Sequence, residues 1–83
     1  MKLHVLKIKP CYFYDVSVGL KKAELRKDDR QYEVGDLIHF VDVKGNEIEY
    51  FQCNLFIITH ILRNVEEYGL KFGYAILSIE KVK

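Results

Sequence analysis

Lys21, Glu24 and Arg26 place one acid between two bases within a charge-dense stretch, Gly19 to Glu33, that carries five cations and four acids. Two residues apart on a strand, Glu24 and Arg26 project from the same face, and their heads pair across roughly 5 to 7 Å. If that face looks outward, the pairs are solvated and contribute about 0 to 1 kcal/mol each. If it looks into a cleft beside a short helix, Lys21, Arg26 and Arg30 offer donors to a phosphate or a base edge. Glu24 then holds the cations in position or accepts from a nucleobase amino group. Lys27 is a further cation of this set, and Tyr12, Tyr14 and Tyr32 supply flat rings for stacking. Lys21 and Glu24 are also the catalytic candidates, a cation beside a carboxylate that can take up or give a proton.

The elements that must position these residues follow from periodicity. Lys2 to Lys9 alternates as a first strand with His4, Leu6 and Ile8 on one side. Pro10 ends it and suits the first turn of a helix to about Val18, in which Phe13, Val16 and Leu20 share a face and Gly19 supplies the left-handed cap. Ala23 to Lys27 reads as a second strand with Leu25 on the core side. Asp28 to Arg30 and Val34 to Asp36 are turns, and in the second of them Gly35 gives the backbone freedom while Asp36 bonds its own loop. Leu37 to Val43 is a third strand, followed by a hairpin connection at Lys44-Gly45-Asn46. Glu47 to Arg63 is too long for one flat strand and changes from half-polar, with Glu47 and Glu49 against Ile48 and Tyr50, to apolar on both faces, with Asn54 as the expected bend or bulge. Asn64 to Gly73 is a loop with a turn of helix near Val65 to Tyr68. Tyr74 to Lys81 closes the chain as a strand with Ala75, Leu77 and Ile79 on one side.

These elements predict an α+β fold: five or six mostly antiparallel strands curled into a small β-barrel, with one or two short helices. At 83 residues and 49% hydrophobic composition the chain reads as one domain, 1–83, with a core to fill. The two cysteines, Cys11 and Cys53, are too few for a disulfide framework, and the three histidines lie far apart in sequence, so neither a metal nor another cofactor is expected. The longest apolar run, LFIITHIL, is far short of the roughly 20 residues of a membrane span. MKLHVLKIK reads as a strand rather than a signal peptide, which together with reduced thiols points to a cytoplasmic protein with no membrane partner. The net charge of +1 excludes coating of nucleic acid by bulk electrostatics. The charge is nonetheless uneven: residues 1–30 carry eight Lys/Arg and four Asp/Glu, a net of +4, whereas residues 31–83 carry five and eight, a net of −3. A local basic face is therefore expected.

Gly19, Lys21, Glu24 and Arg26 match, position for position, the GxKxxExR signature of the ASCH domains, a superfamily with a PUA-like β-barrel. The chain resembles more closely a small ASCH-like group of unknown function from bacteria and phages. The resemblance runs through Leu6-Lys7-Ile8, Pro10 and Tyr12-Phe13, then Glu24, Arg26-Lys27, Asp29-Arg30 and Val34-Gly35-Asp36, and finally Gly69-Leu70, Gly73-Tyr74 and Ile76-Leu77. It implies a cleft beside the first helix lined by Lys21, Glu24 and Arg26, and an RNA or nucleotide-like ligand. It also implies two alternatives: a small hydrolase, since some members are reported as a ribonuclease or as an amidohydrolase acting on acetylated cytidine, and a bacterial or phage protein-interaction factor. The amidohydrolase-like members use a threonine with lysine and glutamate. Here Lys22 and Ala23 follow Lys21, and Ser17, Thr59 and Ser78 are the chain's only hydroxyl side chains of that kind, which speaks against that chemistry.

Overall fold

The computed structural model describes residues 1–49 and 53–82. Among them, five strands form one sheet: β1 (Leu3–Lys7), β2 (Ala23–Lys27), β3 (Leu37–Val41), β4 (Phe56–Leu62) and β5 (Tyr74–Lys81). Helix α1 (Pro10–Ser17) and a 3-10 turn at Glu66–Tyr68 complete the elements. The spatial order is β1-β3-β4-β5-β2, with β1 parallel to β3 and the other pairs antiparallel. The sheet curls into a half-barrel, so the fold is α+β with a mixed, mostly antiparallel sheet. Curling brings the two edge strands, β1 and β2, to face each other across a seam. Side chains span that seam: Arg26 donates from Nη2 to the Lys7 carbonyl at 2.6 Å, and Arg30 from Nη1 to the Val5 carbonyl at 3.0 Å.

The core follows the alternation of three strands. His4, Leu6 and Ile8 turn inward from β1 and its end, Ile38 and Phe40 from β3, and Ala75, Leu77 and Ile79 from β5. Phe13 and Val16 of α1 close over them, with Phe40 packed between Phe13 and Phe56 at ring distances of 6.3 and 5.4 Å. Leu20, expected on the same helical face, is exposed because the helix ends at Ser17, with Val18 as its C-cap, before reaching it. Strand β2 differs from its expected orientation: Glu24 is buried and Leu25 is 62% exposed. The register explains this, since Glu24 lies opposite Leu77 and Arg26 opposite Ala75, both inward on β5, while Leu25 lies opposite the outer-face Ile76.

The turn before β3 is built as its residues predict. Gly35 sits at φ 94°, the left-handed region open to glycine, and the Asp36 carboxylate accepts the Glu33 N–H at 3.0 Å within its own loop. Asp36 also accepts the Lys2 N–H at 3.0 Å and lies 2.9 Å from His4 Nε2, so one buried acid ties β1 to β3. Burial by itself would raise this carboxyl. The hydrogen bonds from His4 and the two backbone amides, with the His4 charge, outweigh it and hold the pKa at about 2. The His4 ring in turn lies 4.7 Å from that of Tyr32, which is buried. Burial raises the Tyr32 phenol above its usual value against the opposing pull of Arg30 and Arg26.

Among the described residues of the long run after the hairpin, a strand spans Phe56 to Leu62. The earlier part of the run reaches β3 through a bridge between Val41 and Glu47 and through Asn54, whose side chain pairs with both the N–H and the carbonyl of Phe40 at 3.2 and 2.7 Å. Asn54 thus stands in for a strand partner ahead of β4, and β4 carries a further irregularity at Ile58 to His60. The expected alternation through Tyr50 lies outside the described residues. His39 clamps the same region, with Nδ1 2.8 Å from the Asn54 carbonyl and Nε2 2.8 Å from a Glu47 carboxylate oxygen. Both neighbours accept, so the doubly protonated ring fits best. Burial opposes that charge, but these two hydrogen bonds and the Glu47 charge raise the His39 pKa above its usual value. A raised folded-state pKa gives stability that is full below about pH 6.5 and lost as pH rises through the folded value. Urea midpoints should therefore decline on that alkaline side, and His39→Gln should flatten the decline; an equal slope in the variant would assign it to another group.

Candidate functional site

The end of α1 sets up the charged cluster. Gly19, at φ 83°, turns the chain so that its N–H bonds the Val16 carbonyl, and the N–H groups of Leu20 and Lys21 both bond the Asp15 carbonyl at 2.9 and 3.0 Å. This Schellman arrangement ends the helix and fixes where Lys21 leaves it. Three residues on, β2 carries Glu24 inward with 4% of its surface exposed. Lys21 Nζ donates to Glu24 Oε1 and to the Ala23 carbonyl, and lies 5.8 Å from the centroid of the Tyr12 ring. Arg26 donates from Nε to Glu24 Oε2 at 3.0 Å. The two cation side chains keep 29% and 21% exposure, whereas the Glu24 side chain keeps 6%. Glu24 thus holds one cation on each carboxylate oxygen, Lys21 on Oε1 and Arg26 on Oε2.

Beside this cluster lies a hollow of about 700 Å³ between the end of α1 and β5. Val16, Phe56 and Ile79 form its apolar floor, and Lys21, Lys22, Glu80 and Lys81 its polar rim. Lys81 also donates to the Ser17 carbonyl at 2.9 Å, tying β5 to the helix end. Of the four signature residues Gly19 and Lys21 line the hollow. Glu24 and Arg26 stand behind it, one gripping Lys21 and the other reaching the seam.

A protein-family model described as a domain of unknown function, DUF3850, matches residues 3–79. The chain belongs to the DUF3850 family. No curated protein matches it. The family's span covers every element from β1 to the inward residues of β5, and with them the cluster and all of the hollow's lining except Glu80 and Lys81.

The remaining sequence-selected residues of this DUF3850 chain divide in two. Tyr12 and Tyr14 are 48% and 63% exposed, and Lys27 and Arg30 are exposed, so all four are open to a partner. Tyr32 is only 2% exposed, which removes it from any stacking surface. Lys22 and Lys81 at the hollow are not among the sequence candidates; Lys81 carries a signal, as the cation that ends β5 on the side of Ala75, Leu77 and Ile79. Arg63 is spent on structure: its Nε lies 2.7 Å from Asp28 Oδ2, and its Nη2 reaches Asp28 Oδ1 and the Tyr32 carbonyl at 3.2 and 3.1 Å. Among the described residues no three His, Cys, Asp or Glu side chains are grouped to hold a metal, and no helix is long and apolar enough to cross a membrane.

Proposed function

We propose that this DUF3850 domain binds RNA or a nucleotide-like anion in the hollow at the end of α1, with Lys21 as the principal phosphate donor and Glu24 and Arg26 as the groups that hold it. The observation that carries this reading is a buried carboxylate gripping a lysine at the wall of an open, apolar-floored hollow rimmed by two more lysines. A lysine already tethered loses less side-chain entropy when it meets an anion. The exposed Tyr12 ring beside Lys21 offers a face for a base. The match of Gly19, Lys21, Glu24 and Arg26 to the ASCH signature supports the same reading.

Fluorescence anisotropy with a labelled single-stranded RNA pool at about 50 mM salt tests it. Binding should weaken as salt rises, and Lys21→Ala should cost about 1 to 3 kcal/mol of affinity while the fold is retained. No binding across varied pools, or full binding by the variant, would refute it.

A further inference from the structure

The two arginines that bridge the seam do more than close the barrel edge. Strand β1 pairs with β3 through its even-numbered residues, as in the Ile8 N–H to Val41 bond, so the carbonyls of Val5 and Lys7 point away from the sheet. Arg26 and Arg30 take those two carbonyls, and each guanidinium keeps N–H groups beyond the ones so used. A fork held in place by a carbonyl meets a phosphate with little further loss of freedom. The seam also continues from the hollow, because Glu24 bonds Lys21 on one side and Arg26 on the other. Beyond Arg30, Lys2 reaches the carbonyl of Gln31, and Lys27 stands exposed on the outer face of β2. Both seam strands come from the part of the chain with net charge +4. Of the nearby acids, Asp28 is held by Arg63 and Asp29 is exposed.

We infer that the seam between β1 and β2 is a track for the phosphates of a single-stranded RNA whose end occupies the hollow, with Arg26, Arg30 and Lys27 as its contacts. The inference rests on the hollow as the binding site and narrows its ligand from any nucleotide to an oligonucleotide. Affinity then depends on length.

The test compares a ribonucleoside monophosphate with single-stranded RNAs of about three, six and nine nucleotides, a range suited to one small domain. Affinity should rise at least about tenfold from the monophosphate to the six-nucleotide strand. The slope of log affinity against log salt should steepen by about 1.4, two phosphates at about 0.7 each. Arg30→Ala and Lys27→Ala should each weaken the longer strands about 5- to 50-fold and leave the monophosphate within about twofold. The Lys27 side chain is exposed and makes no hydrogen bond or ion pair among the described residues, so its variant removes no side-chain contact on which the fold depends. Length-independent affinity, with both variants inert while Lys21→Ala weakens every ligand, would overturn the track and leave the hollow standing. An inert Lys21→Ala would remove both.

Discussion

Asp36→Asn is expected to destabilise the fold by about 3 to 5 kcal/mol, the range for breaking a buried charged network by changing one partner. Asp36 is 1% exposed and takes three donors on its two oxygens: the Lys2 and Glu33 amides and the His4 ring. An amide offers one accepting oxygen. Its NH₂ would then face either the Lys2 N–H or the pair from His4 and Glu33, donor against donor. The pH dependence gives an independent check. Because the folded pKa is about 2 against an ordinary 3.8, Asp36 contributes stability above pH 3.8 that is lost as pH falls through 2. The depression corresponds to roughly 2 kcal/mol at about 1.4 kcal/mol per pKa unit. Urea unfolding at neutral pH should show the loss in the variant, and an acid series should show the wild type losing this increment between about pH 4 and 2 while the variant does not. An unchanged midpoint, or the same acid limb in both proteins, would mean that the buried carboxylate is not what pins β1 to β3.

Glu24→Ala should cost about 2 to 4 kcal/mol. Removing this carboxylate strands the Lys21 ammonium and the Arg26 guanidinium beside each other with no counterion. Both cations retain partial contact with water, which places the cost below that of a wholly buried pair and above the 0 to 1 kcal/mol of a surface pair. Arg26 would keep its bond to the Lys7 carbonyl but lose the anchor that aims it, so hydrogen exchange should accelerate at β1 as well as β2. Lys21→Ala, which leaves Glu24 with its arginine, should cost no more than about 1 kcal/mol of stability. Equal effects of the two substitutions on the urea midpoint would show that Glu24 is an ordinary surface partner.

Much of this arrangement was legible in the residues. The Pro10 start and Gly19 stop of α1 are local chemistry, and so is the turn at Gly35-Asp36. The two-residue period of β1 and β5 was legible, but not which side turns inward, since apolar residues stand on both faces: Leu3 and Val5 against Leu6 in β1, Tyr74 and Ile76 against Leu77 in β5. Strand β2 runs against its local pattern: Leu25 is its one large apolar residue, and a lone leucine marks the core only when no stronger constraint acts. Here the pairing with β5 decides, and it turns Glu24 inward beside Leu77. Register between strands about fifty residues apart is a long-range property that a local pattern does not contain. Asn54 falls in the irregular stretch before β4, where a break is expected, but its completion of the β3 edge by pairing with both backbone groups of Phe40 is a long-range role that its polar amide does not announce. The parallel contact of β1 with β3 and the arginine-bridged seam likewise arise from the curl of the whole sheet. Within the site, the Lys21–Glu24–Arg26 grouping could be read from spacing, but the hollow beside it could not, since α1, β4 and β5 all line it.

The most direct measurement is an NMR titration of the isotopically labelled protein with a short single-stranded RNA at about 50 mM salt. Shift changes should concentrate at Gly19 to Lys22 and at Lys81, with smaller ones along Arg26 to Arg30, and should fade as salt is raised. Changes confined to the outer face around Leu25, Ile76 and Leu62, or none at all, would contradict a binding site at the end of α1.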